Sequence, residues 1–147
     1  MSNMEVIRLT TFDNETVQQV DGLLHMLSPQ SQPVESTRLE SLIKDGRLHL
    51  FVCRDDNADI IGMLTLTCCP TLARDKYWIE DVIVNETFRG QGAGRALLRA
   101  AVGYARQELK ASCIYLTSNP SRVQARALYR SEGFEEYETG VFRIREI

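Results

Sequence analysis

Apolar residues recur along the chain with two different periods. In Asn14–Leu27 they fall at Val17, Val20, Leu23, Leu24 and Leu27, which is one stripe of a helix. Glu5–Leu9 reads as a short strand before it. After the loop SPQSQPVES, Ser36 or a neighbour opens a short helix to about Lys44, and Asp45-Gly46 ends it. Three strands are expected next: Leu48–Arg54, Ile60–Cys69 and Tyr77–Val84. DDNAD reads as a hairpin turn between the first two, and Pro70–Asp75 as a loop before the third. Leu97, Leu98, Ala101, Val102, Ala105 and Leu109 give the following helix an apolar face, with Arg95, Arg99, Arg106 and Lys110 on the opposite stripe. Ile114–Thr117 is a short apolar strand. Asn119 then suits an N-cap with Pro120 at the first helical position. Gly133 fits the left-handed site just past that helix, with Phe134 folding back. Val141–Ile144 closes as a last strand. The order β-α-α-β-β-β-α-β-α-β-β predicts a mixed α/β domain with an antiparallel first half. At 147 residues and 44% hydrophobic content, one domain with one core over residues 1–147 is expected.

Composition narrows the setting. No run of about 18 apolar residues occurs, so no membrane span is expected. The stretch MSNMEVIRLTTFDNE lacks the basic and apolar regions of a signal peptide. Cys53 and Cys113 lie in apolar runs, and the adjacent pair Cys68 and Cys69 suits neither a disulfide framework nor a zinc knuckle. A reduced, cytoplasmic protein without a bound metal is the expectation. The net charge of -3 hides an asymmetry: residues 1–88 carry seven Lys/Arg against fourteen Asp/Glu, and residues 89–147 carry ten against six. The acidic total argues against nucleic-acid binding. The basic second part argues for a small anionic ligand, and phosphate is the obvious candidate.

That basic part opens on RGQGAGR, where Gly90, Gly92 and Gly94 alternate between Arg89 and Arg95. A P-loop would need Gly-Lys-Ser/Thr, which the chain lacks. A Rossmann fingerprint would place its third glycine where Arg95 stands. A glycine-rich turn running into a helix still presents backbone N–H groups at the positive end of the helix dipole. Arg89 and Arg95 can add charge-assisted hydrogen bonds. Donors spread over successive residues suit a diphosphate better than a single phosphate.

Arg89-Gly90-Gln91-Gly92-Ala93-Gly94 resembles the [Q/R]-x-x-G-x-[G/A] signature of the GCN5-related N-acetyltransferases, the GNAT superfamily. It stands after a strand reading WIEDVIV and before a long helix, as in that family. Ala125, Leu128, Tyr129, Gly133 and Phe134 resemble the family's A-x-x-L-Y-x-x-x-G-F block, and the resemblance covers roughly residues 48–145. It implies a single GNAT-like α/β (α+β mixed) domain, with a mostly antiparallel mixed sheet splayed between strands 4 and 5 and flanked by helices. It implies acetyl-CoA as co-substrate. The diphosphate would lie on Arg89, Gly90, Gln91, Gly92, Ala93, Gly94 and Arg95, and the pantetheine arm against the backbone of Val82, Ile83 and Val84. Many members carry an Asn seven residues before the tyrosine. Arg122 fills that slot here and Asn119 lies three residues earlier; both are carried as candidate cofactor contacts, with a solvent-facing arginine as the alternative for Arg122.

Acetyl transfer from a thioester to an amine needs a neutral amine, a stabilised oxyanion and a protonated thiolate. The resemblance makes Tyr129 the general acid, and a phenol of ordinary pKa about 10 is protonated at neutral pH. Glu80 is the candidate base: an acid in an apolar strand, facing with Val82 and Val84, should have a raised pKa. Its alternative is a carboxylate paired with an arginine. The Ile-Glu-Asp-Val run is also similar to the corresponding strand of glucosamine-phosphate acetyltransferases, where these acids help hold the substrate, so Asp81 is a candidate substrate contact. His25 and His49 belong to no constellation and read as structural.

The acceptor is then a small amine, without a nucleic-acid or membrane partner. An acidic rim over residues 11–47 and 68–78 favours a cationic one and disfavours a sugar phosphate unless local arginines intervene. Acylation of a protein lysine or N-terminus, and a non-catalytic acyl-CoA sensor, are the alternatives. Open sheet ends make a homodimer plausible.

Overall fold

A computed structural model describes residues 3–146. These form two compact units, one reaching to Thr117 and the other running from Ser118.

The first unit holds a five-stranded sheet in the order β1-β2-β3-β4-β5. Its strands are β1 (Glu5–Leu9), β2 (Leu48–Arg54), β3 (Ile60–Pro70), β4 (Asp75–Val84) and β5 (Ile114–Tyr115). The first four pair antiparallel in succession, and β5 lies parallel to β4. Two helices precede β2, α1 (Asn14–Leu27) and α2 (Ser36–Asp45). Asp13 caps α1 by accepting from the Thr16 amide at 2.8 Å. Gly46 ends α2 in the left-handed region at φ 77°. The α1 residues Val17, Val20 and Leu23 and the α2 residue Leu39 bury against Leu9, Leu50, Val52, Met63 and Ile83 of the sheet. The other sheet face receives α3 (Ala93–Gln107), whose Leu97, Leu98, Ala101 and Ala105 are fully buried. A Cβ on Gly62 would sit 3.2 Å from both the Ile83 carbonyl oxygen and Leu97 Cδ1. Glycine leaves room for this close approach of β3, β4 and α3, and a larger residue would have to push its neighbours back.

Two features of β4 decide the shape of the site. Its pairing with β5 consists of Tyr77↔Ile114 and Trp78↔Tyr115 alone. From Ile79 onward β4 has no strand partner on that side among the described residues, as a splayed sheet requires. The second feature is a bulge. Met63 pairs with Ile83 and Thr65 with Glu80, so Asp81 and Val82 together oppose Leu64. Asp81 takes φ 54°, a left-handed value that Asp tolerates better than most residues.

The second unit contains α4 (Val123–Ser131). Gly133 follows at φ 95°, and the Phe134 amide bonds the Tyr129 carbonyl at 3.0 Å, the expected helix ending. The helix start differs from expectation. Asn119 caps a separate turn, accepting from the Ser121 amide at 2.9 Å, and α4 begins only at Val123. The expected closing strands are absent: residues 134–146 form no strand among the described residues. Val141, Phe142 and Ile144 are at least 76% exposed. Their alternation with arginines suits a strand, but strand propensity is realised only against a partner. No helix of the described residues is long and apolar enough to cross a membrane.

Candidate active site

The glycine-rich turn joins β4 to α3 through a single 3₁₀ turn, Glu86–Phe88, in which Asn85 accepts from the Thr87 amide at 3.1 Å. Gly90 and Gly92 take φ 78° and 92°. A Cβ at either would meet nothing within 4 Å, so backbone conformation rather than crowding inside the chain requires glycine here. Gly92 is the N-cap of α3 and supplies no side-chain cap. The first-turn amides, Ala93 and Gly94 among them, lie at the positive end of a 15-residue helix. Gly94 is helical rather than part of the turn. Arg89 braces the turn: its Nε donates to the Val84 carbonyl at 3.1 Å, and a guanidinium nitrogen stands 3.9 Å from Glu86. This fastens the loop to the last residue of the splayed strand. Gln91 and Arg95 also belong to the segment, Arg95 on the first turn of α3.

Val82, Ile83 and Val84 form the end of β4, beyond its pairing with β5. On one edge they remain bonded to β3 through Met63↔Ile83 and Gly62↔Val84. Their β5-side edge leads straight into the glycine turn. A backbone edge without a strand partner and a helix N-terminus without a side-chain cap thus follow one another along the chain. Together they suit an extended ligand with amide-like groups at one end and phosphates at the other.

The bulge corrects one expectation about Glu80. Simple alternation gives it the face of Val82 and Val84. With one extra residue inserted, Glu80 pairs with Thr65, whereas Val84 pairs with Gly62, three residues away on β3 and hence on the opposite face. Glu80 therefore belongs to the α1/α2 side of the sheet, where it is exposed. The strand still withdraws enough water to hold its carboxyl above the ordinary value, and the neighbouring Asp81 charge adds to this. The buried Thr65 hydroxyl donates to Asp81 at 2.9 Å, tying it across the bulge. Alternation patterns carry no warning of a bulge beyond two adjacent acids in an apolar strand.

Within the second unit, Tyr129 is 6% exposed and packs edge-on to Phe134 at 6.1 Å. Burial raises its phenol pKa above 10, with Arg122 pulling it back in part. Its proton is therefore held at neutral pH. Arg122 is the N-cap of α4, and Asn119 supports the turn before it. His49 is buried against Tyr104 at 5.0 Å, and burial with the Arg8 charge lowers its pKa. It stands on β2, apart from the β4 end and the glycine turn. No group of three His, Cys, Asp or Glu that could hold a metal gathers among the described residues.

Comparison with known proteins agrees with this arrangement. The model of the acetyltransferase (GNAT) family matches residues 18–134. The spermine/spermidine N(1)-acetyltransferase of Bacillus subtilis is 24% identical over 119 residues, covering 76% of this chain and 77% of that protein. An aminoglycoside acetyltransferase from an uncultured soil metagenomic sample, solved with trehalose, superposes with a TM-score of 0.84 at 20% identity, covering 98% and 96% of the two chains. The aminoglycoside N-acetyltransferase AAC(6')-Iy in complex with CoA gives a TM-score of 0.82 at 17% identity, covering 100% and 97%. A family match across most of the chain, spanning both the glycine turn and the end of β4, makes this protein a member of the GNAT acetyltransferase family and an N-acetyltransferase.

Proposed function

We propose that the chain, over residues 1–147, is one acetyl-CoA-dependent acetyltransferase domain that acetylates a small amine by direct attack. The observation that carries the cofactor is the glycine turn with left-handed Gly90 and Gly92, opening α3 without a side-chain cap beside the splayed end of β4. Backbone amides from Arg89 to Arg95 hold the diphosphate, and Val82 to Val84 hold the pantetheine arm. The CoA complex of a structural neighbour supports this reading, as does the family match. Asn119 and Arg122 are further candidate cofactor contacts. Among relatives, the spermine/spermidine and aminoglycoside activities support a small amine acceptor.

In the reaction, Glu80 accepts a proton from the acceptor ammonium or from the attacking nitrogen. Its raised pKa suits proton transfer nearer neutral pH than an ordinary carboxylate allows. The nitrogen attacks the thioester carbonyl, the carbon–sulfur bond breaks, and Tyr129 gives its proton to the departing thiolate. No covalent enzyme intermediate is needed when both substrates bind together.

The cofactor assignment is tested by calorimetric titration of CoA into the wild type and Gly92→Val, with melting temperature as a folding control. A branched residue is strained at φ 92° and also brings bulk against the phosphates. At least a tenfold loss of affinity, about 1.4 kcal/mol, is expected. Equal affinity in a folded variant would take the diphosphate off this turn.

A further inference from the structure

The first 88 residues are strongly acidic, yet the β4 face that carries Glu80 also carries cations. Lys76, Trp78 and Glu80 pair with Cys69, Thr67 and Thr65 in turn, so all three lie on one sheet face. They form a row of cation, aromatic ring and carboxylate that spans about 13 Å of strand. Asp75 belongs elsewhere: its charge acts on Cys68 and Tyr77, on the opposite face. The Trp78 ring stacks on Tyr115 at 5.0 Å and 30°, at the point where β4 and β5 part. Two cations gather on the far side of that aromatic ledge. Arg74 donates to the Tyr115 hydroxyl at 3.1 Å, and Lys76 Nζ stands 5.9 Å over the Tyr115 ring. Neither has a carboxylate partner among the described residues, although Lys44 and Arg47 of the same unit are paired with Glu40 and Asp45.

We infer that the acceptor is dipolar: its amine meets Glu80, its body lies along the Trp78–Tyr115 ledge, and an anionic group at its far end is received by Arg74 and Lys76. This rests on the acyl-transfer reading above. The anion is a carboxylate or a phosphate, since both accept from a guanidinium and an ammonium. A polyamine would instead bring a second positive charge against two existing ones. The local arrangement thus reverses the preference that the acidic total suggests, because exposed charges more than a Debye length away, about 8 Å at physiological salt, are largely screened.

The test uses four chain-matched amines whose remote ends differ: hexylamine, hexanediamine, aminohexanoate and aminohexyl phosphate. Release of free CoA thiol from acetyl-CoA by the full chain gives kcat/KM for each. Either anionic acceptor should exceed hexylamine by roughly fivefold or more, as for one or two partly exposed charge pairs, and hexanediamine should be the poorest. The better of the two anionic acceptors identifies carboxylate or phosphate. Lys76→Gln and Arg74→Gln should each bring the anionic-to-hexylamine ratio toward one, and Lys76→Glu should favour hexanediamine. A wild type that prefers hexanediamine, or variants with an unchanged ratio, would overturn the inference while leaving acyl transfer intact. Absence of thiol release with every amine would instead remove the acyl-transfer reading, and this inference with it.

Discussion

The proposed base Glu80 and the proposed acid Tyr129 carry opposite demands. A base must lose its proton near working pH, and an acid must keep its own. Burial raises both groups, which moves the carboxyl toward neutrality and keeps the phenol protonated. A base at Glu80 works when ionised, so on this reading kcat should rise with pH through a value raised from the ordinary carboxylate one. Glu80→Gln should lower kcat by roughly 10²–10⁴ and abolish that rise. A change in acceptor KM alone would make Glu80 a binding group. Tyr129→Phe should lower kcat by a similar factor with little change in acetyl-CoA affinity, measured by calorimetry beside steady-state kinetics. Full activity in that variant would remove Tyr129 from the mechanism. Both side chains are readable from the sequence, because an acid in an apolar strand and a tyrosine before Gly-Phe stand out against their surroundings. The contact of Thr65 with Asp81 is not readable, since it joins residues on different strands through a register that no local pattern encodes.

At the scale of elements, β4 is where reading by pattern fails. Its extent is legible, and so are α1, α2, β1, β2 and the Gly133 ending of α4, because each follows a single period closed by a clear stop. The bulge reverses the faces of Glu80 and Val84 relative to simple alternation. The closing strands fail for the complementary reason: Val141–Ile144 has strand-forming residues but no strand partner among the described residues. Thr65 is the lock of the bulge. Thr65→Val keeps volume but leaves the Asp81 carboxylate without its hydroxyl donor, at a cost of about 1–3 kcal/mol. The variant should melt lower and lose kcat more than acetyl-CoA affinity, since the bulge aims Glu80. Thr65→Ser should restore both. An unchanged kcat in Thr65→Val would separate the bulge from catalysis.

The whole molecule divides its charge by task. Residues 1–88 carry most of the acids, and the segment from Arg89 onward carries most of the bases. The basic part begins at the turn assigned to the diphosphate, so long-range attraction and local hydrogen bonding favour the same ligand. The face of β4 proposed for the acceptor adds its own pattern, a carboxylate and two cations flanking an aromatic pair. The central claim joins these parts: a small amine takes the acetyl group from acetyl-CoA held at RGQGAGR. Free-thiol release from acetyl-CoA, followed with a panel of small amines and peptides, tests it most directly. One thiol should be released per N-acetylated small amine, and rates with small amines should exceed those with peptides. Tight acetyl-CoA binding without thiol release from any acceptor, or release with peptides alone, would contradict it.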